Sequence, residues 1–258
     1  MRSDGGGGAA PLVSLRGVSK AFKSGTVALE SVDLDIRDGE FLTLLGPSGC
    51  GKSTVLRILA GLTDASGGEV VWRDSPSLGF VFQEPTLAPW SNVFENVFLP
   101  LRLKGIPRSE AVSKVEEALA NVGLKGFEQA YPRELSGGMK MRVSIARALV
   151  LKPSLLLMDE PFAALDEITR IKLNEDLLSL RAAIGATIVF VTHSVFESVF
   201  LSTRICVMAR RPGRVHAEIA VDPKAERNED FRLGPAYASC ARQASAALHA
   251  AMGDSNCS

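Results

Sequence analysis

Four short apolar runs punctuate the chain, and stretches long enough for helices separate them. The first run lies in EFLTLLG. Directly after it, KSTVLRILAGL repeats apolar residues (Val55, Leu56, Leu59) at helical spacing. LGFVFQ, SLLLMDEP and ATIVFVTH are the other strand candidates. Continuous apolar strands alternating with helices predict an α/β fold with a mostly parallel sheet covered by helices on both faces. In such sheets ligands gather at the carboxyl ends of the strands. The stretch 91–133 carries no strong strand. SEAVSKVEEALANVGL reads there as an amphipathic helix stopped by glycine. With the helix that follows, it predicts a small helical subdomain over about 91–150. The tail, 221–258, starts polar (DPKAERNED) and ends in an alanine-rich helical stretch, YASCARQASAALHAAM. No internal repeat is visible.

Composition narrows the picture. A chain of 258 residues, 46% hydrophobic, can bury one large core or a core plus a small subdomain. Lys+Arg and Asp+Glu number 29 each, so the net charge is zero, which argues against a general polyanion binder and predicts no nucleic-acid partner. No stretch approaches the roughly eighteen unbroken apolar residues of a membrane span. The start, MRSDGGGGAAPL, has charge but no apolar segment, so 1–11 reads as a flexible lead-in rather than a secretory signal. Cys50, Cys206, Cys240 and Cys257 are scattered with neither zinc-site nor disulfide spacing, which predicts a reduced, cytoplasmic protein.

The chemistry starts at GPSGCGKST: Gly46, Pro47, Ser48, Gly49, Cys50, Gly51, Lys52, Ser53 and Thr54. Gly46-x4-Gly51-Lys52-Ser53 is the full P-loop pattern, placed between a strand and a helix as its mechanism requires. The glycines let backbone N–H groups close around a β-phosphate, and the helix start adds its positive dipole end. Lys52 is placed for the β- and γ-phosphates and Ser53 for Mg2+. In LLLMDEP an apolar strand runs into Asp159 and Glu160, and unpaired buried acids are costly. Asp159 reads as a partner of the metal's water shell. Glu160, expected on the other side of the strand end, reads as the acceptor of a proton from an attacking water. The plainer alternative is that both acids cap the next helix. Leu135–Met139, LSGGM, precedes another helix, where Ser136, Gly137 and Gly138 offer a second anion site; read alone, Ser-Gly-Gly is also an ordinary turn. Two phosphate-gripping helix starts with only one lysine-bearing loop suggest that the second serves another copy of the chain.

Taken together, the order P-loop, glutamine, LSGG, LLLMDEP, ALD, histidine resembles the nucleotide-binding subunit of ABC transporters, over about 12–215. The resemblance implies a P-loop NTPase core with antiparallel edge strands and a helical subdomain, all within 12–220, followed by the short tail. It implies ATP and Mg2+ as cofactors, and two copies facing head to tail with each ATP between one P-loop and the other LSGG. Gln83 then reaches Mg2+ and the attacking water, Asp166 contacts the second copy, and His193 stands near the γ-phosphate. Phe22 matches the aromatic that stacks on adenine; a core aromatic is its plainer reading. Met139 stands where the family most often has glutamine, beyond the gripping N–H groups. Cys50, beside a helix start, is expected to carry a somewhat acidic thiol shielded by ATP.

EPTLAPWSNVFENVFLPLRLKG and SVFESVFLSTRICVMARRPGRV resemble the ATPases of nitrate, sulfonate and taurine importers. That implies integral membrane permease subunits as partners, a solute-binding protein as an indirect one, and a peripheral place on the cytoplasmic face of the inner membrane. Trp90 then lies where the cassette meets the permease; an exposed loop aromatic is the alternative. The segment between the P-loop and Gln83 is shorter than usual in the family, so trimmed edge strands are expected. An exporter or lipid-transport ATPase, and a soluble ATPase acting on DNA or ribosomes, are the competing readings.

Overall fold

A computed structural model of the chain describes residues 10–210, 212–222 and 225–253. The glycine-rich part of the lead-in and Cys257 lie outside the described residues. The three apolar runs FLTLL, LLLMD and TIVFVT become β3 (Phe41–Leu45), β6 (Leu155–Asp159) and β7 (Thr187–Thr192), each buried along its whole length. They belong to a six-stranded sheet ordered β5-β6-β7-β3-β8-β9, with β5 at Leu78–Val81, β8 at Arg204–Ala209 and β9 at Arg214–Ala220. Five strands are parallel, and β9 closes one edge antiparallel to β8.

Alternate residues of the central strands enter different cores. Leu156, Met158, Ile188 and Phe190 face the side carrying the larger helices, and Leu155, Leu157, Val189 and Val191 face the other. Burial on both faces is what makes these strands read as unbroken apolar runs.

On the second side lie α1 (Lys52–Leu59) and a smaller antiparallel sheet, β2-β1-β4, formed by β1 (Val13–Ala21), β2 (Val27–Ile36) and β4 (Gly67–Trp72). The expected antiparallel strands beside the main sheet are thus three in number. On the first side pack α2 (Val93–Leu103), α3 (Arg108–Asn121), α4 (Gly137–Leu149) and α5 (Glu167–Ile184). α2, α3 and α4 all fall within 91–150.

A third core lies under the tail. Ala244 and Ala251 of α8 (Pro235–Gly253) bury against Val199 of α6 (Val195–Leu201) and against Ile205 and Val207 of β8. A short helix, α7 (Glu229–Leu233), leads into α8. Arg204 holds β8 to its neighbours from within. Its guanidinium donates to both oxygens of Glu40 (3.1 and 2.8 Å), to Glu218 on β9 (2.8 Å) and to the carbonyl of Asp35 on β2.

Candidate active site

β3 stops at Leu45 and the chain turns through the glycine loop into α1. Gly51 caps α1 at φ +91, and a Cβ there would fall 2.5 Å from Leu29 Cδ2 and 2.9 Å from the Ala28 carbonyl. Only glycine fits this turn against β2. Ser48, Gly49, Gly51, Lys52, Ser53 and Thr54 line one side of a cavity of about 470 Å³, and Thr26, Val27 and Ala28, with Gln83 and Glu160, complete it. Lys52, 4% exposed, folds back on its own loop. Its Nζ donates to the carbonyls of Gly46 (2.7 Å) and Pro47 (3.2 Å) and lies 3.6 Å from Glu160 Oε1. Ser53 Oγ donates to Asp159 Oδ1 at 2.7 Å.

Both carboxylates of the DE pair thus reach the same loop, which differs from the expected opposite directions. Alternation holds only within a strand. Glu160 lies just past β6 in the left-handed region, at φ +44, with its N–H donating to the Val191 carbonyl at 3.1 Å. Such a φ is strained for a residue with a side chain and turns Glu160 back over Lys52. Neither acid caps the next helix: α5 starts at Glu167, and its cap is Asp166, whose side chain accepts from the Thr169 N–H at 2.9 Å. Burial holds the Asp159 carboxyl above the usual carboxylate range, opposed by the Ser53 hydrogen bond. Asp166 is held below that range by its hydrogen bonds from Thr169.

His193 follows β7. Its Nδ1 is 3.2 Å from Glu160 Oε2, on the far side of that carboxylate from Lys52. Gln83, two residues past β5, lines the large cavity; Phe22 does not. Phe22 is 43% exposed on a turn closed by Phe22 N–H to the Thr26 carbonyl, and Lys20 Nζ lies 5.4 Å from its ring centroid. The core-aromatic reading therefore fails. Ser136 caps α4, accepting from the Met139 N–H at 3.2 Å. A Cβ on Gly138 would sit 2.8 Å from Thr169 Cγ2, so the α4 start abuts the α5 start that carries Asp166. Ser136, Gly137 and Gly138 do not line the cavity of Lys52. Trp90, 81% exposed, sits in the loop before α2.

A further expectation is corrected. Cys50 is fully buried, and desolvation raises its thiol above the ordinary cysteine value; the nearby Lys52 charge opposes this without overcoming it. The side chain points into the core behind the loop, against Gly46 and away from the cavity, so it is neither acidic nor placed for shielding by a nucleotide.

Sequence reasoning passed over three groups that hold these loops. Arg147 of α4 donates to the carbonyls of Pro85 (2.8 Å) and Thr86 (2.9 Å), just past Gln83. Arg170 donates to the Leu165 carbonyl, beside Asp166. Glu197, a carboxylate buried in the apolar run VFESVF, accepts from the Thr192 hydroxyl, beside His193. An acid inside an apolar run was the one signal available for any of them.

A glycine loop with its lysine, two converging carboxylates and a histidine at the carboxyl ends of parallel strands define an α/β nucleoside-triphosphatase site. The chain belongs to the ABC transporter family, whose model matches residues 29–163. It is an ABC ATPase, the ATP-binding subunit. An aliphatic sulfonates import ATP-binding protein, SsuB, of Bacillus cereus (strain ATCC 10987 / NRS 248) is 43% identical over 232 residues, 85% of this chain and 91% of that protein. An uncharacterized ABC transporter ATP-binding protein of Methanocaldococcus jannaschii is 48% identical over 201 residues, 76% of this chain and 75% of that one. A dimeric bacterial ABC transporter cassette superposes with a TM-score of 0.72 at 35% identity, covering 81% of this chain and 98% of that one. The dimeric post-hydrolysis state of that cassette, bound to ADP and Pi, gives 0.73.

Proposed function

We propose that the chain drives an ABC importer for small solutes of the nitrate, sulfonate or taurine kind, working as a head-to-tail dimer on the cytoplasmic face of the inner membrane. The observation that carries the dimer is the separation of two anion-binding helix starts. Lys52 and Ser53 share a cavity with Gln83 and Glu160, and Ser136, Gly137 and Gly138 lie outside it. An ATP held at the first start would find the second on another copy. Asp166, at the α5 start against Gly138, would meet that copy. The import reading draws on the Bacillus cereus sulfonate ATPase and on Trp90, whose exposed indole suits a permease contact. A permease and a solute-binding protein complete the system.

The residues divide the reaction as follows. Lys52 leaves its two loop carbonyls for the β- and γ-phosphates, while the loop N–H groups surround them. Phe22 stacks on the adenine. Ser53, Asp159 and Gln83 present oxygen donors of the kind Mg2+ takes. Among the described residues no three His, Cys, Asp or Glu cluster as a metal cage, in keeping with an ion that completes its shell from phosphates and water. When bound, that ion neutralises phosphate charge. Glu160 accepts the proton of the attacking water, and His193, now 3.2 Å from it, turns to the γ-phosphate.

The test is Glu160→Gln. It should bind ATP, lose turnover by about a hundredfold or more, and elute as a dimer when ATP is present. Monomers at saturating ATP would sink the sandwich reading. Co-purification with a membrane permease, and loss of sulfonate uptake on deletion of the gene, would test the importer.

A further inference from the structure

Behind His193 runs a polar chain that none of these roles uses. Arg170 on α5 donates to the Leu165 carbonyl at 3.0 Å, fixing the loop that ends in Asp166. Its Nε lies 4.0 Å from Glu197 Oε1 on α6. The other oxygen of Glu197 accepts from the Thr192 hydroxyl, whose oxygen accepts from the Ser194 N–H at 3.0 Å. Thr192 and Ser194 flank His193.

Two features mark this chain as more than packing. Glu197 is 8% exposed, and a carboxylate that deep is costly unless paired. Arg170 Nε and Glu197 Oε1 have no hydrogen-bond partner among the described residues. Both residues line a small space of about 10 Å³, shared with Glu160 and His193. That is room for about one water molecule, which a donor and an acceptor facing each other would hold.

We infer that Arg170 and Glu197 are positioning residues for ATP hydrolysis. Together they form a strut that ties the His193 loop to the Asp166 loop. The inference rests on the ATPase reading above. If Asp166 meets the second copy, the strut carries that contact to the back of His193, so that the imidazole is set only when the dimer is closed. Neither residue lines the large cavity, so neither is placed to hold the nucleotide.

The test uses the full chain with Glu197→Gln, Arg170→Met and the double variant, and Arg170→Lys as a variant that keeps the charge. Each single change should lower kcat about tenfold or more, as small misplacements of catalytic groups do. KM for ATP should stay within about twofold, since ground-state binding is untouched. The double variant should be no slower than the slower single one, because the two act as a unit. Arg170→Lys should recover part of the loss. In histidine side-chain NMR, Glu197→Gln should move the His193 resonances and leave His216 and His249 in place. Unchanged kcat in both singles, additive losses, or displacement of all three histidines together would overturn the strut. A wild-type chain without ATPase activity would instead overturn the parent reading and the catalytic role with it; the NMR comparison alone would then decide whether the pair holds His193.

Discussion

Glu160 pairs with Lys52 on one side and His193 on the other, so removing its charge frees two partners at once. Lys52→Ala should be the more severe change for nucleotide: it deletes the cation at the phosphates, and a fluorescent ATP analogue should bind at least about tenfold more weakly. Asp159 gives a prediction of opposite sign for stability. Burial holds its carboxyl above the usual range, so ionising it in the folded chain costs free energy. Its stabilising contribution is full below the usual carboxylate range and is lost as the pH rises through the raised value. Asp159→Asn should therefore melt higher than wild type at pH 7. The gain should shrink as the pH is lowered, and turnover should fall. An Asn variant that melted lower at pH 7 would show that the Ser53 hydrogen bond outweighs burial. The candidate site residues were legible because each lies within a few positions of its motif. The direction of Cys50 was not, because loop spacing does not say which side chains face the core. The Arg170–Glu197 pair was not legible either, because the two residues sit on different helices and meet only in the fold.

At the scale of elements, the central strands were readable and the edges were not. FLTLL, LLLMD and TIVFVT are buried on both faces and leave an apolar run in the sequence. β1 and β4 carry Gly17, Gly67 and Gly68 and several exposed positions, so no run and no clean alternation marks them. α4 couples two functional loops: Ser136 caps its start, and Arg147 near its end holds the carbonyls after Gln83. Those bonds span a strained point, since Thr86 sits at φ +47. Arg147→Met should release the loop. Hydrogen exchange over 83–88 should quicken, and the chain should lose about 1–2 kcal/mol, as for the loss of hydrogen bonds donated by a charged group. Exchange unchanged there would mean that Thr86 is held by its neighbours alone.

At the scale of the molecule, α8 is part of the fold rather than an appendage. It covers Val199, Ile205 and Val207, and Tyr237 OH donates to the Phe196 carbonyl of α6 at 3.1 Å. Ending the chain before Ala225 should uncover that core, lower the melting temperature and increase binding of a hydrophobic dye; a truncated chain as stable as the whole would make the cover dispensable. The placement of β3 has a consequence in time. The strand that leads into the glycine loop finds both neighbours late: Leu44 pairs with Val191 on one side and Cys206 on the other. Such long-range pairings close slowly, and a chain emerging from a ribosome cannot make them early. The glycine loop is synthesised before both strands that flank β3 in the sheet and has to wait for them before it has a shape. During synthesis, ATP is thus a late ligand, available as a reporter of completed folding and not as a template for it.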